Sequence, residues 1–470
     1  MNSLKFGTSG LRGLVTELVG WPSYAYAGAF FRSVAAGGGS REVVIGRDLR
    51  DSSAGIAATV AAAAASAGFT AIDCGALPTP ALALEAMRRG AYAVMVTGSH
   101  IPEDRNGLKF YRPDGEITKA DEAAILAALG DVGAGGEVPP APPATPEPDA
   151  IARYRRRYGD AFPADCLAGL RIAVYQQSCV ARDLLADLLA GFGAQAEAIG
   201  RADRFVPIDT EAHRPEDIAY IREVMASGAY DALVTTDGDA DRPLVADGTG
   251  RIVRGDILGL ITARFLGADT VVVPVTAGSA LESSGGFGRV IRTRVGSPFV
   301  IAGMDEARRD GAATVVGFEA NGGFLLGSDV PLGRGTLPAL PTRDAMLPIV
   351  ATLAAARAAG TGLAGLVASL DAGEMASDRL PETPSEHSSA FLARLTDGAF
   401  ARDFLRPVGE PQAVDQRDGV RIELGGGRTI HFRASGNAPE LRCYAEAKTA
   451  AEAQDLVRWG LKAAAAAMKG

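Results

Sequence analysis

The sequence predicts an α/β protein: three related α/β domains with mixed, largely parallel sheets, followed by a C-terminal α+β domain. Two patterns carry that expectation. In the first, "GAYAVMVTGSH" from Gly90, "GAYDALVTTDGDADR" from Gly228 and "GAATVVGFEANGG" from Gly311 repeat one design. Each joins Gly-Ala to a short apolar run and then to a polar loop containing glycine. The second lies near the end of the chain. "GVRIELGGGRTIHFRAS" alternates like a hairpin turning at Gly425 to Gly427, and "AAEAQDLVRWGLKAAAAAMK" reads as a helix.

The remaining elements follow in order. "EVVIGRD" from Glu42, "LRIAVYQQS" from Leu170 and "DTVVVPVTAG" from Asp269 each supply an earlier apolar strand to one of the three runs. Helix-like segments such as "RDLLADLLAGFG" and "PFVIAGMDEARRDG" lie between, so each pair predicts a strand–helix–strand unit. Ligand groups then belong on loops at the carboxyl ends of the strands. "AATVAAAAASAGF" predicts a buried helix, too short to span a membrane and closed by Gly68. "GAGGEVPPAPPATPEPD", Gly133 to Asp149, is too rich in Pro and Gly for regular structure and predicts an extended connector. The domains are therefore expected at 1–149, 150–252, 253–370 and 371–470.

A chain of 470 residues needs several cores, and 47% hydrophobic with 22% charged residues is ordinary globular composition. The net charge of −9 argues against nucleic-acid and anionic-membrane partners, but not against an anion held by a local arginine cluster. Cys74, Cys166, Cys179 and Cys443 stand far apart without a CxxC pair, so neither a zinc site nor a disulfide framework is indicated. That usage, and an N-terminus "MNSLKFGTSGLRG" lacking an apolar leader segment, predict a cytoplasmic protein.

The polar loops carry the chemistry. In "TTDGDADR", Asp237, Asp239 and Asp241 alternate with small residues and fall on one side of an extended loop. Three converging carboxylates repel unless a cation sits between them, and all-oxygen ligation with room for substrate suits Mg²⁺. The twelfth position from Asp237 is Gly248 rather than Glu, which excludes an EF-hand. "VTGSHIPEDRNGLKF" places Ser99 beside His100. It lacks the G-x-S-x-G of an esterase elbow, and on an extended segment His100 points away from Ser99. A phosphorylated serine needs instead a cation and positive side chains, which the aspartate loop, Arg105 and Lys109 offer. "GFEANGGF" presents Glu319 and Asn321 among glycines, a pair suited to vicinal sugar hydroxyls. "RASGNAPELR" sets Arg433, Ser435, Asn437 and Arg442 around Gly436, a phosphate cradle without the GK[ST] of a Walker A loop. "FGTSGLRG" adds Thr8, Ser9 and Arg12 in an early Gly-rich loop able to lean over the same site.

In this order and spacing, "TGSHIPEDRNGLK", "DGDADR", "GFEANGG" and "RASGNAPELR" resemble the phosphoserine, metal, sugar and phosphate loops of the α-D-phosphohexomutase family. The resemblance implies four domains, heart-shaped around a central cleft. It implies Ser99 as the phosphoserine, with Asp237, Asp239 and Asp241 holding Mg²⁺ beside it. Arg12 and Lys109 would lie near the transferring phosphoryl group, with His100 a catalytic neighbour and Arg242 orienting the phosphate. Glu319 and Asn321 would bind sugar, and Arg433, Ser435, Gly436 and Asn437 the non-reacting phosphate, with Arg442 close by. The implied reaction interconverts hexose 6-phosphate and hexose 1-phosphate through a hexose 1,6-bisphosphate. Mannose phosphates are favoured, with glucose or glucosamine phosphates as alternatives and glucose or mannose 1,6-bisphosphate as activator. A phosphoserine-dependent sugar phosphatase is the alternative of a different class. The chain departs from the family pattern at Asn321, where Ser is usual, and at Gly323, where His is usual. It also has Ser297 where some members carry His.

Overall fold

A computed structural model of the chain describes residues 3–7, 10–35, 40–132, 135–284, 286–435 and 439–468. Two compact units form: Met1–Val271 with Gly296–Leu366, and Val272–Val295 with Val367–Gly470.

The first unit opens with an eight-stranded mixed sheet. Glu42–Arg47 lies at its centre, parallel to both Thr70–Ala76 and Tyr92–Val96. Arg105–Arg112 then runs back antiparallel to Tyr92–Val96. Helices Trp21–Ser33 and Ser53–Ser66 contribute Phe30, Phe31, Ile56 and Val60 to a core shared with Val43, Ile45 and Val94. The alanine-rich helix ends as expected. Gly68 turns left-handed at φ +79°, and its N–H and that of Phe69 bond back to Ala65 and Ala64. A second sheet repeats the plan, with Arg171–Gln177 parallel to Gln195–Arg201 and Ala232–Thr236, and Pro243–Asp247 returning antiparallel. In the third, Val315–Phe318, Phe324–Leu326 and Leu340–Asp344 pair antiparallel.

Each predicted strand–helix–strand unit contains a further strand that the sequence pattern does not show. Thr70–Ala76 and Gln195–Arg201 are largely half-buried or exposed, so they lack an apolar run. The connector also departs from the expectation of no regular structure. Thr145–Pro146 adds a short parallel strand beside Ile72–Asp73, using the edge position that proline tolerates. A shared consequence bears on function: each polar loop is clamped between a buried strand and its antiparallel return. Among the described residues no single helix is long and apolar enough to cross a membrane. The pair Met346–Ala359 and Gly362–Ala368 reaches that hydropathy only jointly, across a 90° bend.

The second unit carries a five-stranded antiparallel sheet ordered Glu374–Leu380, Leu441–Ala447, Arg428–Ala434, Val420–Leu424, Pro411–Asp415. The predicted hairpin closes with Leu424 opposite Arg428, and Gly426 and Gly427 take positive φ. The predicted helix spans Ala450–Ala467, capped by Thr449, and adds Leu456, Val457 and Ala464 to a core with Phe391 and Phe432. Buried His431 donates from Nε2 to the Asp418 carbonyl at 2.6 Å, and burial lowers its pKa from 6.5 to about 4. The unfolded chain therefore binds the extra proton first as pH falls. Stability should drop through about pH 6.5 and level off near pH 4, with a loss of at most about 3 kcal/mol. Urea unfolding of the wild type and His431→Gln across that range checks this: the variant should show a shallower pH slope.

Candidate active site

Ser99 follows the buried strand Tyr92–Val96 and is itself fully buried. It adopts φ +55°, a left-handed conformation that a serine keeps only when its surroundings hold it. Asp48 and Arg50, an ion pair with both side chains fully buried, provide that hold. Asp48 Oδ2 accepts from Thr97 Oγ1 at 2.8 Å and from Gly98 N at 3.2 Å. Arg50 donates to the carbonyls of Ser99, Ile101 and Pro102 at 3.1, 2.6 and 2.8 Å. Gly98 leaves room for that guanidinium, since a Cβ there would stand 2.7 Å from its central carbon. Gly98→Ala should therefore cost about 1–3 kcal/mol by forcing Arg50 off the loop carbonyls. Denaturant unfolding reads the loss, and an unchanged midpoint would refute the brace.

Ser99 Oγ donates to Asp237 Oδ2 at 2.6 Å. Asp237, Asp239 and Asp241 are all buried, and one oxygen from each lies within 4.8 Å of the others. Lys109 Nζ bridges Asp239 Oδ2 at 2.5 Å and Asp241 Oδ2 at 2.6 Å. Thr79 Oγ1 adds a bond to Asp239 at 2.5 Å. Burial, then the charges of Asp239 and Asp241, push the Asp237 carboxyl well above the usual carboxylate range. At Asp241 burial works the same way, but Arg343, Lys109 and Arg242 outweigh it and hold the carboxyl below that range. Asp239 Oδ1 and Asp241 Oδ1 are buried without a hydrogen-bond partner. Buried carboxylate oxygens that accept no hydrogen bond are costly; Arg242 Nε stands 3.6 Å from Asp241 Oδ1, and the donor set fits a small hard cation such as Mg²⁺.

Cations crowd the same place. Arg242 Nη1 lies 3.0 Å from His100 Nδ1. A guanidinium can only donate, so Nδ1 is the acceptor and the ring is neutral. Burial, then Arg242 and Arg12, hold its pKa far below the ordinary value. Nδ1 also lies 3.2 Å from Ser99 Oγ, but the serine proton points to Asp237, so His100 is not poised as its base. Arg12 is only partly exposed, and its pKa is lowered to about 10 by burial and then by Arg242 and Arg343. Arginines arranged to repel one another become stable when an anion lies between them.

Models of the phosphoglucomutase/phosphomannomutase family match at residues 3–132 (alpha/beta/alpha domain I), 254–372 (alpha/beta/alpha domain III) and 393–458 (C-terminal domain). The chain is 47% identical over 464 residues to a phosphomannomutase of Sinorhizobium fredii, across 97% of this chain and 98% of that protein. The chain belongs to the phosphoglucomutase/phosphomannomutase family. It is accordingly a mutase, an isomerase that transfers a phosphoryl group intramolecularly. A phosphomannomutase of Salmonella muenchen is 41% identical over 461 residues, covering 97% of this chain and 94% of that one. A solved family member from Burkholderia thailandensis shares the fold, with a TM-score of 0.76, 21% identity and 97% of each chain covered.

The first unit of this mutase thus gathers Arg12, Ser99, His100, Lys109, the three aspartates, Arg242 and Glu319. Asn321 Oδ1 accepts from Gly323 N within its own loop at 3.0 Å, and its carbonyl accepts from the distant Thr210 Oγ1 at 2.9 Å. Ser297 begins helix Ser297–Arg309 and donates to Glu116 Oε2 at 2.8 Å. Thr8, Ser9, Gly436 and Asn437 lie outside the described residues. In the second unit, Arg433 and Arg442 face each other across paired strands. Arg433 pairs with Asp418 at 3.0 Å and Arg442 with Glu440 at 2.8 Å, and Ser435 N donates to the Glu440 carbonyl at 3.0 Å.

Sequence reasoning missed Thr79, the Asp48–Arg50 brace and Arg343. Arg343 bonds Asp241 Oδ2 from Nε at 3.1 Å and Nη2 at 2.8 Å, and Glu319 Oε2 from Nη1 at 2.9 Å. The signal was present in "PTRD", a polar stretch at the carboxyl end of an apolar-to-polar strand.

Proposed function

We propose that this mutase interconverts the 6- and 1-phosphates of a hexose through a phosphoserine at Ser99, with mannose phosphates preferred. The observation that carries the reading is the 2.6 Å contact of Ser99 Oγ with Asp237, at the edge of three buried carboxylates and beside Lys109 and Arg242. The mannose preference rests on the 47% identity to the Sinorhizobium protein. A cytoplasmic setting suits the four free cysteines.

Phospho-Ser99 gives its phosphoryl group to the free sugar hydroxyl. The bond from phosphorus to Oγ breaks, one to the sugar oxygen forms, and the sugar hydroxyl proton ends on the freed Ser99 Oγ. The bisphosphate then presents its other phosphate, and the same exchange in reverse restores phospho-Ser99. Asp237, Asp239 and Asp241 with Ser99 would hold Mg²⁺, which supplies charge neutralisation to the phosphoryl group when bound. Lys109, Arg12 and Arg242 contribute fixed positive charge, which needs no reorganisation as the group moves. Glu319 accepts from sugar hydroxyls, Asn321 shapes that loop, and Ser297 positions Glu116. Arg433, Ser435, Gly436 and Asn437, with Arg442 beside them, anchor the phosphate that is not reacting. Each segment, 1–149, 150–252, 253–370 and 371–470, then supplies one functional loop.

Steady-state kinetics on mannose, glucose and glucosamine 1-phosphates, with Mg²⁺ and a hexose 1,6-bisphosphate activator, tests the reading. The highest kcat/KM is expected for mannose 1-phosphate. Equal values for mannose and glucose would make the enzyme dual-specific, and activity on glucosamine phosphate alone would overturn the preference. Inorganic phosphate appearing faster than the isomer would favour the phosphatase.

A further inference from the structure

We propose that Arg343 is a positioning residue that holds Glu319 for the sugar, and that Gly323 keeps the space Arg343 needs. The inference rests on the mutase reading above. Arg343 is the penultimate residue of strand Leu340–Asp344 and is 1% exposed. Its planar guanidinium spans two loops at once, with Nε and Nη2 on Asp241 Oδ2 and Nη1 on Glu319 Oε2 at 2.9 Å. Asp241 Oδ2 also receives Lys109 Nζ at 2.6 Å, so Arg343 is not that aspartate's sole counter-charge. Glu319 Oε2 is held by Arg343 Nη1, which sets the plane in which the carboxylate meets vicinal hydroxyls. A lysine ammonium is a single point and cannot reproduce the fork across both carboxylates.

Gly323 completes the arrangement. A Cβ there would stand 2.7 Å from Arg343 Cδ and 2.9 Å from its Cγ. A side chain at 323 would therefore push the arginine stem at 343 out of this position. The glycine in "EANGG" and the arginine in "PTRD" are thus matched across two segments of this chain, which holds Glu319 from the neighbouring strand.

The test compares the wild type with Arg343→Lys, Gly323→Ala and the double variant. Calorimetric Kd for mannose 1-phosphate is measured beside kcat and KM. Arg343→Lys should raise Kd and KM about tenfold while kcat changes by about threefold or less. Gly323→Ala should weaken binding by roughly fivefold, and the double variant should match Arg343→Lys within about twofold, since both remove one arrangement. An unchanged Kd in Arg343→Lys, or a fall in kcat alone, overturns the positioning role. Independent, multiplying effects overturn the shared space. If Arg343→Lys does not fold, Gly323→Ala carries the same Kd comparison, and an unchanged Kd there refutes the proposal. A wild type that binds hexose phosphate without isomerising it refutes the mutase reading and leaves the Kd series to judge Arg343. A wild type that binds none refutes both.

Discussion

Ser99→Ala should lower mutase turnover by about four orders of magnitude or more, with no phosphoserine after incubation with a hexose 1,6-bisphosphate. A covalent relay has no substitute when its only oxygen is removed, so the loss should appear in kcat and not be recovered by more substrate. A second effect follows from burial. Ser99 Oγ is the donor to Asp237 Oδ2, and alanine leaves that buried oxygen unpaired. The variant should lose about 1–3 kcal/mol of stability but remain folded, because alanine meets the same φ of +55° under the same Asp48–Arg50 brace. Intact-mass spectrometry, a melting curve and turnover on one preparation separate the two effects. Near-normal turnover in a folded Ser99→Ala protein would end the phosphoserine model.

Lys109→Met should be the most destabilising change at the site. Lys109 is 3% exposed and bonds two carboxylates with essentially no solvent access. Removing one partner of a buried ion pair typically costs about 3–5 kcal/mol, because the remaining charge is stranded. Here Asp239 Oδ2 would keep Thr79 and Asp241 Oδ2 would keep Arg343, but the two carboxylates lose their shared ammonium on loops where Asp239 Oδ1 and Asp241 Oδ1 accept no hydrogen bond. The added negative field has a distinctive remedy: Mg²⁺ should raise the melting temperature more in Lys109→Met than in the wild type. Turnover should fall by about two orders of magnitude or more, since a fixed cation beside the phosphoryl group is lost. Equal Mg²⁺ stabilisation of both proteins would show that the aspartates do not form the cation site.

The parts of the site legible in the sequence were those concentrated in short loops. Asp237, Asp239 and Asp241 alternate in one turn, and Ser99 and Lys109 share one hairpin, so chain order alone brought the chemistry into view. Arg343 was invisible for the opposite reason. It lies 102 residues from Asp241, and only the packing of separate sheets makes them partners. The Asp48–Arg50 brace was hidden likewise, since Arg50 acts on four carbonyls some 50 residues away. In the fold, strands buried on both faces announced themselves as apolar runs. Thr70–Ala76 and Gln195–Arg201 did not, because largely half-buried and exposed strands keep no such signature.

Clamping each polar loop between two paired strands has a consequence for how the gene can be edited. Adding one residue to 97–104 or 237–242 shifts the register of the return strand and turns its side chains to the opposite face. Loop length is thus as constrained as loop composition, and insertion libraries directed there should yield unfolded clones. Residues 135–144 carry no ladder, so a reporter domain or affinity handle spliced into that stretch leaves every register intact.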